Sequence, residues 1–360
     1  MDKQTVVVLF GGRSSEHSIS SATAGGVLQA IDRARYDVIP VGITREGAFV
    51  LEQDDPTKFA LDAAHLPEVT DNGSRVLWPE PGGTRTLRVV HADDSVVDHG
   101  EIDVVLPILH GTHGEDGTIQ GYFDTLEVPY AGGGVLDSAL CMDKHFMKIV
   151  LESAGIAVAP WVTVRRHAWS RDSAALRAQI AKLGLPLFVK PARAGSSVGV
   201  SKVSEIGELD AALEVAFAED EKVLVETGVT GREIEVAILD TAHGVRASLP
   251  GEIVLTSRGF YDFEGKYLGA GGVDVVCPAE LSGEQVAAIQ EVGARAFEAV
   301  DGRGLARVDM FLTANGDLIV NELNTMPGFT PISMFPKCWV ASGLSYGDLI
   351  SELIEAGLRR

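Results

Sequence analysis

Apolar positions in the first third of the chain alternate between short unbroken runs and helical spacing. Residues 5–10 form a continuous β-branched run that is typical of a buried parallel strand, and a pair of glycines interrupts it. Residues 18–31 then carry apolar side chains at helical spacing, and residues 36–43 and 102–109 form further strand-like runs. Because strands alternate with a helix, the pattern predicts an open, mostly parallel sheet.

The rest of the chain gives a mixed pattern. Residues 50–100 lack a clear period and contain Pro and Gly, so we expect an irregular insertion with room for a hairpin. A helix is expected from about residue 142 to 155, with Asp143 in its first turn. Strands dominate after residue 230, and one is expected at 247–255. The other predicted elements are strands at 158–164, 185–190, 222–226 and 233–239, and helices at 173–183, 207–218, 282–300 and 346–358.

The most informative segment is a predicted hairpin near the end of the chain. The dipeptide Asn-Gly at 315–316 separates two apolar runs, which is the strongest short-range hairpin signal. A two- or four-residue loop centred there gives a register in which Asp309 faces Glu322 and Arg307 faces Asn324. Because strand side chains alternate between faces, these four side chains lie on one face.

This face of the hairpin predicts a metal site. Two opposed carboxylates repel each other unless a cation lies between them. Oxygen ligands from Asp309, Glu322 and Asn324 are the type that Mg²⁺ prefers, completed by water and phosphate oxygens. The alternative is a solvated face on which both carboxylates point to water. Phe311 and Val320, which we place on the same face, favour partial burial and therefore the metal site.

Residues 185–200 predict a phosphate-binding loop. An apolar strand ends at Lys190, and the following loop contains Gly195, Ser196 and Ser197. Small residues let backbone N–H groups approach a phosphate, and the lysine supplies a positive charge. Neither a GxxxxGK[ST] nor a GxGxxG motif occurs, which disfavours P-loop and dinucleotide-binding folds. A plain flexible turn is the alternative.

Two strand-end turns and one later segment add candidate site residues. HGTHGEDG at 110–117 follows a predicted strand, where open α/β sheets place ligands. Loop positioning is favoured over metal binding for His110, because soft ligands do not recur nearby. Glu16, after the first strand, either compensates a helix dipole or receives a substrate ammonium. Residues 260–267 mix aromatic, charged and glycine residues, which favours a mobile lid over an ordinary surface loop.

Composition narrows the functional classes. The chain is globular in composition, and its formal net charge of −21 makes nucleic acid a poor partner. Three cysteines without a CxxC pair argue against a disulfide framework or structural zinc and for a reducing compartment. The apolar run at the N-terminus is too short for a signal peptide, and no segment approaches the ~18 apolar residues of a membrane span. We therefore expect a cytoplasmic protein with neither a membrane nor a nucleic-acid partner.

Together these segments resemble the ATP-grasp family and, within it, the D-alanine–D-alanine ligases. The resemblance covers nearly the whole chain apart from residues 50–100, and eight segments in the right order make it specific. These segments are GGRSSEHSIS, HGTHGEDG, CMDK, VKPARAGSSVGVSKV, GREIEVAIL, FYDFEGKY, ARVDMFL and NELNTMPGFTPIS.

The resemblance implies an α/β (α+β) fold of three domains, in which the second and third clamp ATP. We expect an N-terminal α/β substrate domain at 1–135, a central ATP-grasp domain at 136–228 and a C-terminal one at 229–360. Two Mg²⁺ ions, for which Mn²⁺ can substitute, are expected on Asp309, Glu322 and Asn324. The implied ATP-binding residues are Lys144, Lys190, Glu226, Thr227, Val229, Glu233 and Lys266.

The resemblance also implies substrate and catalytic residues. Glu16 and His110 would hold the first D-alanine, and Ser196 and Tyr267 would close the lid by bonding toward Glu16. The remaining implied residues are Arg307 and Gly328, which stabilise the oxyanion, and Ser333 and Met334, which hold the second D-alanine.

The expected activity is the ATP-dependent joining of two D-alanines through an acyl phosphate, for peptidoglycan precursor synthesis. Two alternatives remain: another ATP-grasp carboxylate–amine ligase, and a non-catalytic ATP-binding module. The intact metal and arginine set argues against the second alternative. A homodimer is the default expectation for assembly.

Overall fold

The N-terminal sheet has the predicted open, parallel architecture. A computed structural model of the chain describes residues 3–60, 66–255 and 273–360. Three parallel strands lie in the order β2-β1-β7, and a short strand, β3, pairs antiparallel at the β2 edge. The unbroken apolar run of β1 follows from burial on both faces. The elements are β1 (Gln4–Gly11), α1 (His17–Ala30), β2 (Tyr36–Ile43), β3 (Phe49–Leu51), β7 (Val104–Pro107) and α2 (Thr118–Leu126).

The insertion between β3 and β7 contains more order than the sequence indicated. A 3-10 helix (Pro56–Phe59) precedes a three-stranded antiparallel sheet of β4 (Arg75–Leu77), β5 (Thr86–Val90) and β6 (Val96–Glu101). Almost all of β6 is exposed, so it lacks the apolar alternation that would have predicted a strand.

His17 fastens this insertion to the first sheet. The Val69 backbone N–H donates to His17 Nε2 (3.0 Å), and His17 Nδ1 donates to the Gly12 carbonyl (2.8 Å). Burial lowers the pKa of His17, which agrees with a neutral ring that has one donor and one acceptor nitrogen.

The central sheet is antiparallel, in the order β10-β9-β11-β8. The helix predicted from about residue 142 to 155 is present as Lys144–Ser153, and it is preceded by a helix that the sequence did not predict, Val135–Met142, which meets it at Asp143. Asp143 has extended backbone angles and caps the second helix through the N–H groups of His145 and Phe146. The elements are α3 (Val135–Met142), α4 (Lys144–Ser153), β8 (Trp161–Arg165), α5 (Arg166–Arg171), α6 (Ser173–Ile180), β9 (Leu187–Pro191), β10 (Ser201–Val203), α7 (Leu209–Glu219) and β11 (Lys222–Thr227), with 3-10 turns at Ala181–Leu183 and Ile206–Glu208.

In the described residues the third large sheet has six strands, in the order β15-β14-β12-β16-β17 with β13 also paired to β12. The single strand predicted at 247–255 is wrong: β13 and β14 are separate strands, and Pro250, which lacks an N–H donor, lies between them. The elements are β12 (Arg232–Thr241), β13 (Gly244–Ala247), β14 (Gly251–Leu255), β15 (Val273–Val276), α8 (Gly283–Ala299), β16 (Leu305–Leu312), β17 (Leu318–Asn324), α9 (Met334–Ala341) and α10 (Tyr346–Leu358).

The two ends of the chain share one core. Side chains of β1, among them Val6 and Val8, belong to the same buried cluster as Leu349 and Leu353 of α10 and Leu239 of β12. The first and third sheets are therefore held in a fixed relation, which fixes any site between them. Within the described residues, no helix has both the length and the apolar character needed to span a bilayer.

We predict that replacing Gly304 with Ala destabilises this junction. Gly304 has φ +64°, and a Cβ there would lie 2.6 Å from the Gly132 Cα. Because backbone must move to relieve this contact, we expect a loss of about 2–3 kcal/mol in the free energy of unfolding. Chemical denaturation measures it. Gly82→Ala is the matched control, since Gly82 has φ +71° but open space around it, and it should lose only about 1 kcal/mol. Equal losses would contradict a tight contact at Gly304.

Candidate active site

One cavity brings together every sequence-predicted site residue that the structure describes. It has a volume of about 680 Å³ and is lined by the ends of the first sheet, the central sheet and the β16–β17 hairpin. Lys266 and Tyr267 lie outside the described residues, as does the whole predicted lid at 260–267. The predicted residues in the wall are Glu16, His110, Lys144, Lys190, Ser196, Glu226, Thr227, Val229, Glu233, Arg307, Asp309, Glu322, Asn324, Gly328, Ser333 and Met334.

The hairpin has the predicted pairing at the site, although its loop differs from the prediction. Asp309 faces Glu322 and Arg307 faces Asn324. The strands close through a bond from the Thr313 N–H to the Asp317 carbonyl, which leaves a three-residue loop. A three-residue loop alone would shift the pairing by one residue, but a β-bulge after Asp309 restores it.

The bulge also changes which side chains share the site face. Val320 pairs with Met310, and both side chains are buried in the core beneath the sheet. The prediction that Val320 shares the site face with Phe311 is therefore wrong. Asn321, the residue that the bulge adds, lines the cavity next to Glu322. The bulge therefore supplies one more polar side chain to the site than regular pairing would.

The opposed carboxylates are neutralised by cations from several elements. Arg307 makes two hydrogen bonds to Asp309, from Nε to Oδ1 (2.6 Å) and from Nη2 to Oδ2 (2.7 Å). The Arg307 Nε also lies 2.9 Å from Glu235 Oε2, and Lys144 Nζ lies 3.3 Å from Glu322 Oε2. The like-charge repulsion that the sequence predicted is thus offset by two cations.

Oxygen donors at this face suit a hard divalent cation. Asp309 and Glu322 are directly opposite, and Asn324 Nδ2 donates to Asp309 Oδ2 (3.0 Å), so the three side chains are in contact range. The described residues contain no cluster of three or more His, Cys, Asp or Glu side chains able to hold a metal. A metal here would therefore need the amide of Asn324 and ligands from outside the protein, such as phosphate oxygens.

The two predicted phosphate lysines approach the hairpin from different elements. Lys144, the first residue of α4, donates to the Ala194 carbonyl (3.0 Å), which ties it to the Gly/Ser loop. Lys190, near the end of β9, pairs with Glu226 Oε2 (2.8 Å) and donates to Asn321 Oδ1 (3.1 Å). The Lys144 ammonium therefore lies between the loop and Glu322, and the Lys190 ammonium lies beside the hairpin at Asn321.

The Gly/Ser loop is linked directly to the first sheet. Ser196 and Ser197 have positive φ values of 49° and 59°, a conformation that turns the chain sharply toward the cavity. The Ser196 hydroxyl donates to Glu16 Oε1 (2.6 Å). Glu16 is the N-cap residue of α1, but its side chain makes no capping bond. This favours a role for its carboxylate in the cavity over helix capping.

His110, which is buried, and Glu115, which is partly buried, are two titratable groups beside Glu16. His110 Nδ1 donates to the Met326 carbonyl (3.1 Å), and burial lowers the pKa of the ring. Glu115, which the sequence interpretation missed, accepts the Gly111 N–H at Oε2 (2.8 Å) and lines the cavity. Burial and the neighbouring Glu16 carboxylate raise the pKa of Glu115 to about 8.

At the far wall, Ser333 and Met334 lie at the start of α9. Ser333 is the N-cap residue, and its Oγ is 2.7 Å from Thr330 Oγ1. Met334 packs so closely on Gly251 that a Cβ there would lie 2.1 Å from its sulfur. A helix N-terminus with exposed N–H groups is suited to binding a carboxylate.

Sequence reasoning missed four residues at or behind the cavity wall. The sequence could have indicated Glu235 as a site residue, because a spacing of two places it on the same strand face as Glu233. Helical spacing could likewise have indicated Lys148, since it lies one helical turn after Lys144. Asn321 could not be predicted without the bulge. Glu115 was within the quoted loop HGTHGEDG, but its burial gave no sequence signal.

This fold and site define an ATP-grasp enzyme. A family model described as D-ala D-ala ligase N-terminus matches residues 5–133, and one described as D-ala D-ala ligase C-terminus matches residues 150–355. The chain belongs to the D-alanine–D-alanine ligase family of ATP-dependent, ADP-forming ligases, which use divalent metals. The resemblance and the fold class expected from the sequence are thus confirmed.

Individual relatives match over nearly the full length. A D-alanine–D-alanine ligase from Paenarthrobacter aurescens is 50% identical, with 99% of this chain and 95% of that one covered. One from Streptomyces coelicolor is 47% identical, with 99% and 93% covered. Among solved structures, the VanG D-Ala:D-Ser ligase from Enterococcus faecalis has a TM-score of 0.85 at 35% identity, covering 99% and 100%. The D-alanine–D-alanine ligase from Coxiella burnetii has a TM-score of 0.83 at 34% identity, covering 100% and 95%.

We predict that Glu115 makes stability depend on pH. Its raised pKa means that the folded protein binds a proton more tightly than the unfolded chain, whose carboxyl has a pKa of 4.5. This contribution to stability is fully present below pH 4.5 and is lost as the pH rises toward about 8. Glu115→Gln should therefore flatten the fall in melting temperature between about pH 5 and pH 8.

The control for this prediction is a carboxylate on the surface. Glu291 is exposed on α8, so Glu291→Gln should leave the pH dependence of the melting temperature as in the unmodified protein. If Glu115→Gln also kept the full pH dependence, its carboxyl would not be protonated in the folded state at neutral pH.

Proposed function

We propose that this cavity joins two D-alanines into D-alanyl-D-alanine through an acyl phosphate, for the synthesis of peptidoglycan precursors. The observation that carries the proposal is the meeting of three groups of residues in one cavity. These are the oxygen-donor hairpin with Arg307, the lysines of α4 and β9, and Glu16 bonded to Ser196. A non-catalytic ATP-binding module would not require all three.

We assign ATP to the side of the cavity between the central sheet and the hairpin. Lys144 and Lys190 would contact its phosphates, as would Lys266, which lies outside the described residues. Thr227 and Val229 would contact the adenine together with Glu226, and Glu233 would hold the ribose hydroxyls. The residues all line the same cavity apart from Lys266, which supports this arrangement.

The metal proposal is two Mg²⁺ ions on Asp309, Glu322 and Asn324, with Mn²⁺ able to substitute. Metal bound there would neutralise charge on the transferring phosphoryl group. The donor set supports this, since all three side chains offer oxygen and face the lysines.

In the first step, the carboxylate of the first D-alanine attacks the γ-phosphorus of ATP. A new phosphorus–oxygen bond forms, the bond to ADP breaks, and an acyl phosphate results. Glu16 would receive the ammonium of this D-alanine, with His110 alongside. The short bond between Ser196 and Glu16 supports this position, because it fixes the carboxylate at the cavity wall.

In the second step, the deprotonated amine of the second D-alanine attacks the acyl carbon. A tetrahedral oxyanion forms and the attacking nitrogen loses a proton to phosphate or solvent. The bond from the acyl carbon to the phosphate oxygen then breaks, which leaves the peptide and inorganic phosphate. Arg307 and the Gly328 N–H would stabilise the oxyanion, and Ser333 and Met334 would hold the second carboxylate. Tyr267, which lies outside the described residues, would help to close the site with Ser196 and exclude water.

Three further properties belong to the proposal. The domain boundaries are 1–135, 136–228 and 229–360, and the central sheet lies within the second of these ranges. The assembly is a homodimer, following the prevalence of two-fold symmetry. The location is the cytoplasm, supported by three free cysteines, none of which is paired in a disulfide.

The main prediction is D-alanine-dependent turnover. With ATP and Mg²⁺, the protein should release ADP and phosphate and form D-alanyl-D-alanine, and L-alanine should not replace D-alanine. A coupled ADP assay with product analysis measures this. Acceptor mixtures should include D-serine and D-lactate, because one structural relative is a D-Ala:D-Ser ligase. Absence of dipeptide from a folded sample, or a mixed product as the major one, would contradict the proposal.

The metal assignment predicts that Glu322→Gln and Asp309→Asn each reduce turnover at least about a hundredfold, since each removes an anionic metal ligand. The melting temperature should change little for Glu322→Gln, because the ion pair with Lys144 is partly exposed. Steady-state kinetics across a Mg²⁺ series measures the effect. Asp317→Asn, at an exposed position next to the loop of the same hairpin, is the matched control and should retain activity. Near-normal turnover in either ligand variant would overturn the assignment.

A further inference from the structure

Lys148 is a buried lysine that the proposed reaction does not use. It lies on α4 one turn after Lys144 and is 1% exposed. Its ammonium donates to the Ala159 carbonyl (3.1 Å) and lies 5.5 Å from the centre of the Trp161 ring. Lys148 is not among the residues that line the cavity, so it does not contact a ligand there. A buried ammonium is unfavourable unless it is paired, and its partner indicates what it does.

The partner of Lys148 is the carboxylate of Glu226. Lys148 Nζ lies 3.3 Å from Glu226 Oε1, while Lys190 Nζ lies 2.8 Å from Oε2 of the same carboxylate. Glu226 is itself only 3% exposed, so water screens neither contact well. Each oxygen of this carboxylate therefore has its own lysine partner. Lys148 lies behind the cavity wall, and Lys190 is part of that wall.

Through Lys190 this arrangement reaches the hairpin. Lys190 Nζ also donates to Asn321 Oδ1 (3.1 Å), the side chain that the β-bulge adds to the site. A continuous series of contacts therefore runs from Lys148 through Glu226 and Lys190 to Asn321. A change at Lys148 can alter the position of Lys190 without any contact with ATP.

The charges determine the direction of that effect. With Lys148 present, two ammonium groups share one carboxylate, and the buried set keeps a net positive charge beside the cavity. Without Lys148, Glu226 would attract Lys190 more strongly, because a poorly solvated carboxylate that loses one cation binds the other more tightly. The set would then be neutral, and Lys190 would be less available to a phosphate.

We propose that Lys148 is a positioning residue for ATP, which acts through Glu226 to hold the Lys190 ammonium toward the phosphates. The inference rests on the proposed assignment of Lys190 to ATP. It assigns a function to a residue that contacts neither ATP nor D-alanine.

The test is ATP binding by Lys148→Met, which keeps most of the apolar stem of the side chain but removes its charge. Calorimetry with ATP and Mg²⁺ should show an increase of about tenfold in the dissociation constant, the equivalent of about 1.4 kcal/mol. In steady-state assays the KM for ATP should rise while the KM for D-alanine stays unchanged. A general loss of structure would not separate the two KM values.

A double-mutant cycle tests the route of the effect. If Lys148 acts through Lys190, then Lys148→Met should add little to the dissociation constant for ATP once Lys190→Met is present. Lys182→Met is the matched control, because Lys182 is an exposed lysine near the central sheet and should leave ATP binding unchanged. Should Lys148→Met fail to fold, Lys148→Gln, which is also uncharged but keeps a polar group at this position, carries the same expectation.

The outcomes separate this inference from the proposed function. Unchanged ATP binding in a folded Lys148 variant would overturn the inference, as would a full tenfold effect in the Lys190→Met background. Absence of D-alanyl-D-alanine with the unmodified protein would instead count against the proposed function, whatever the variants show.

Discussion

Asp309 and Glu322 face each other across the β16–β17 hairpin, and their mutual repulsion is the constraint on which the rest of the site depends. Partly buried carboxylates at that spacing are stable only if cations surround them. Two cations pair with them directly: Arg307 of β16 with Asp309, and Lys144 at the start of α4 with Glu322. Lys190 of β9 lies beside the hairpin, where it donates to Asn321. Two of the large sheets and a helix therefore have to meet at this hairpin, and the cavity is the space left between them.

The hairpin also shows how far sequence reasoning reached. Alternation of side chains and the Asn-Gly turn predicted that Asp309 opposes Glu322, and the structure has that pairing. The predicted pairing is correct although the predicted loop length is wrong. The three-residue loop shifts the pairing by one residue, and the extra residue of the bulge shifts it back. Regular alternation of side chains cannot reveal a bulge. The sequence pattern therefore could not predict that Asn321 lines the cavity or that Val320 points into the core.

Elsewhere the strength of the apolar pattern decided the outcome. The parallel strands of the first sheet are buried on both faces, and their unbroken apolar runs made them predictable. The strand β6 is mostly exposed and was missed, and so was the helix α3, whose buried residues include the polar Asp137 and Ser138. Burial of Glu115 and Lys148 depends on contacts distant in sequence. The spacing of residues along the sequence predicted which polar side chains share the site. The fold was needed to show which of these side chains are buried.

The charge balance of the cavity gives a physical reason for the use of divalent metals by this family. Among the described residues of its wall there are four cationic side chains and seven carboxylates. The raised pKa of Glu115 removes one negative charge at neutral pH, yet carboxylates still outnumber cations. A triphosphate entering this space brings more negative charge, in a protein whose formal net charge is already −21. The lysines alone cannot neutralise both the wall and the phosphates. Divalent cations held, as we propose, by Asp309, Glu322 and Asn324 would supply the missing positive charge. Arg307 and Lys144 offset the repulsion between Asp309 and Glu322, and on the proposed assignment the same two carboxylates would draw divalent metal and ATP into the site together.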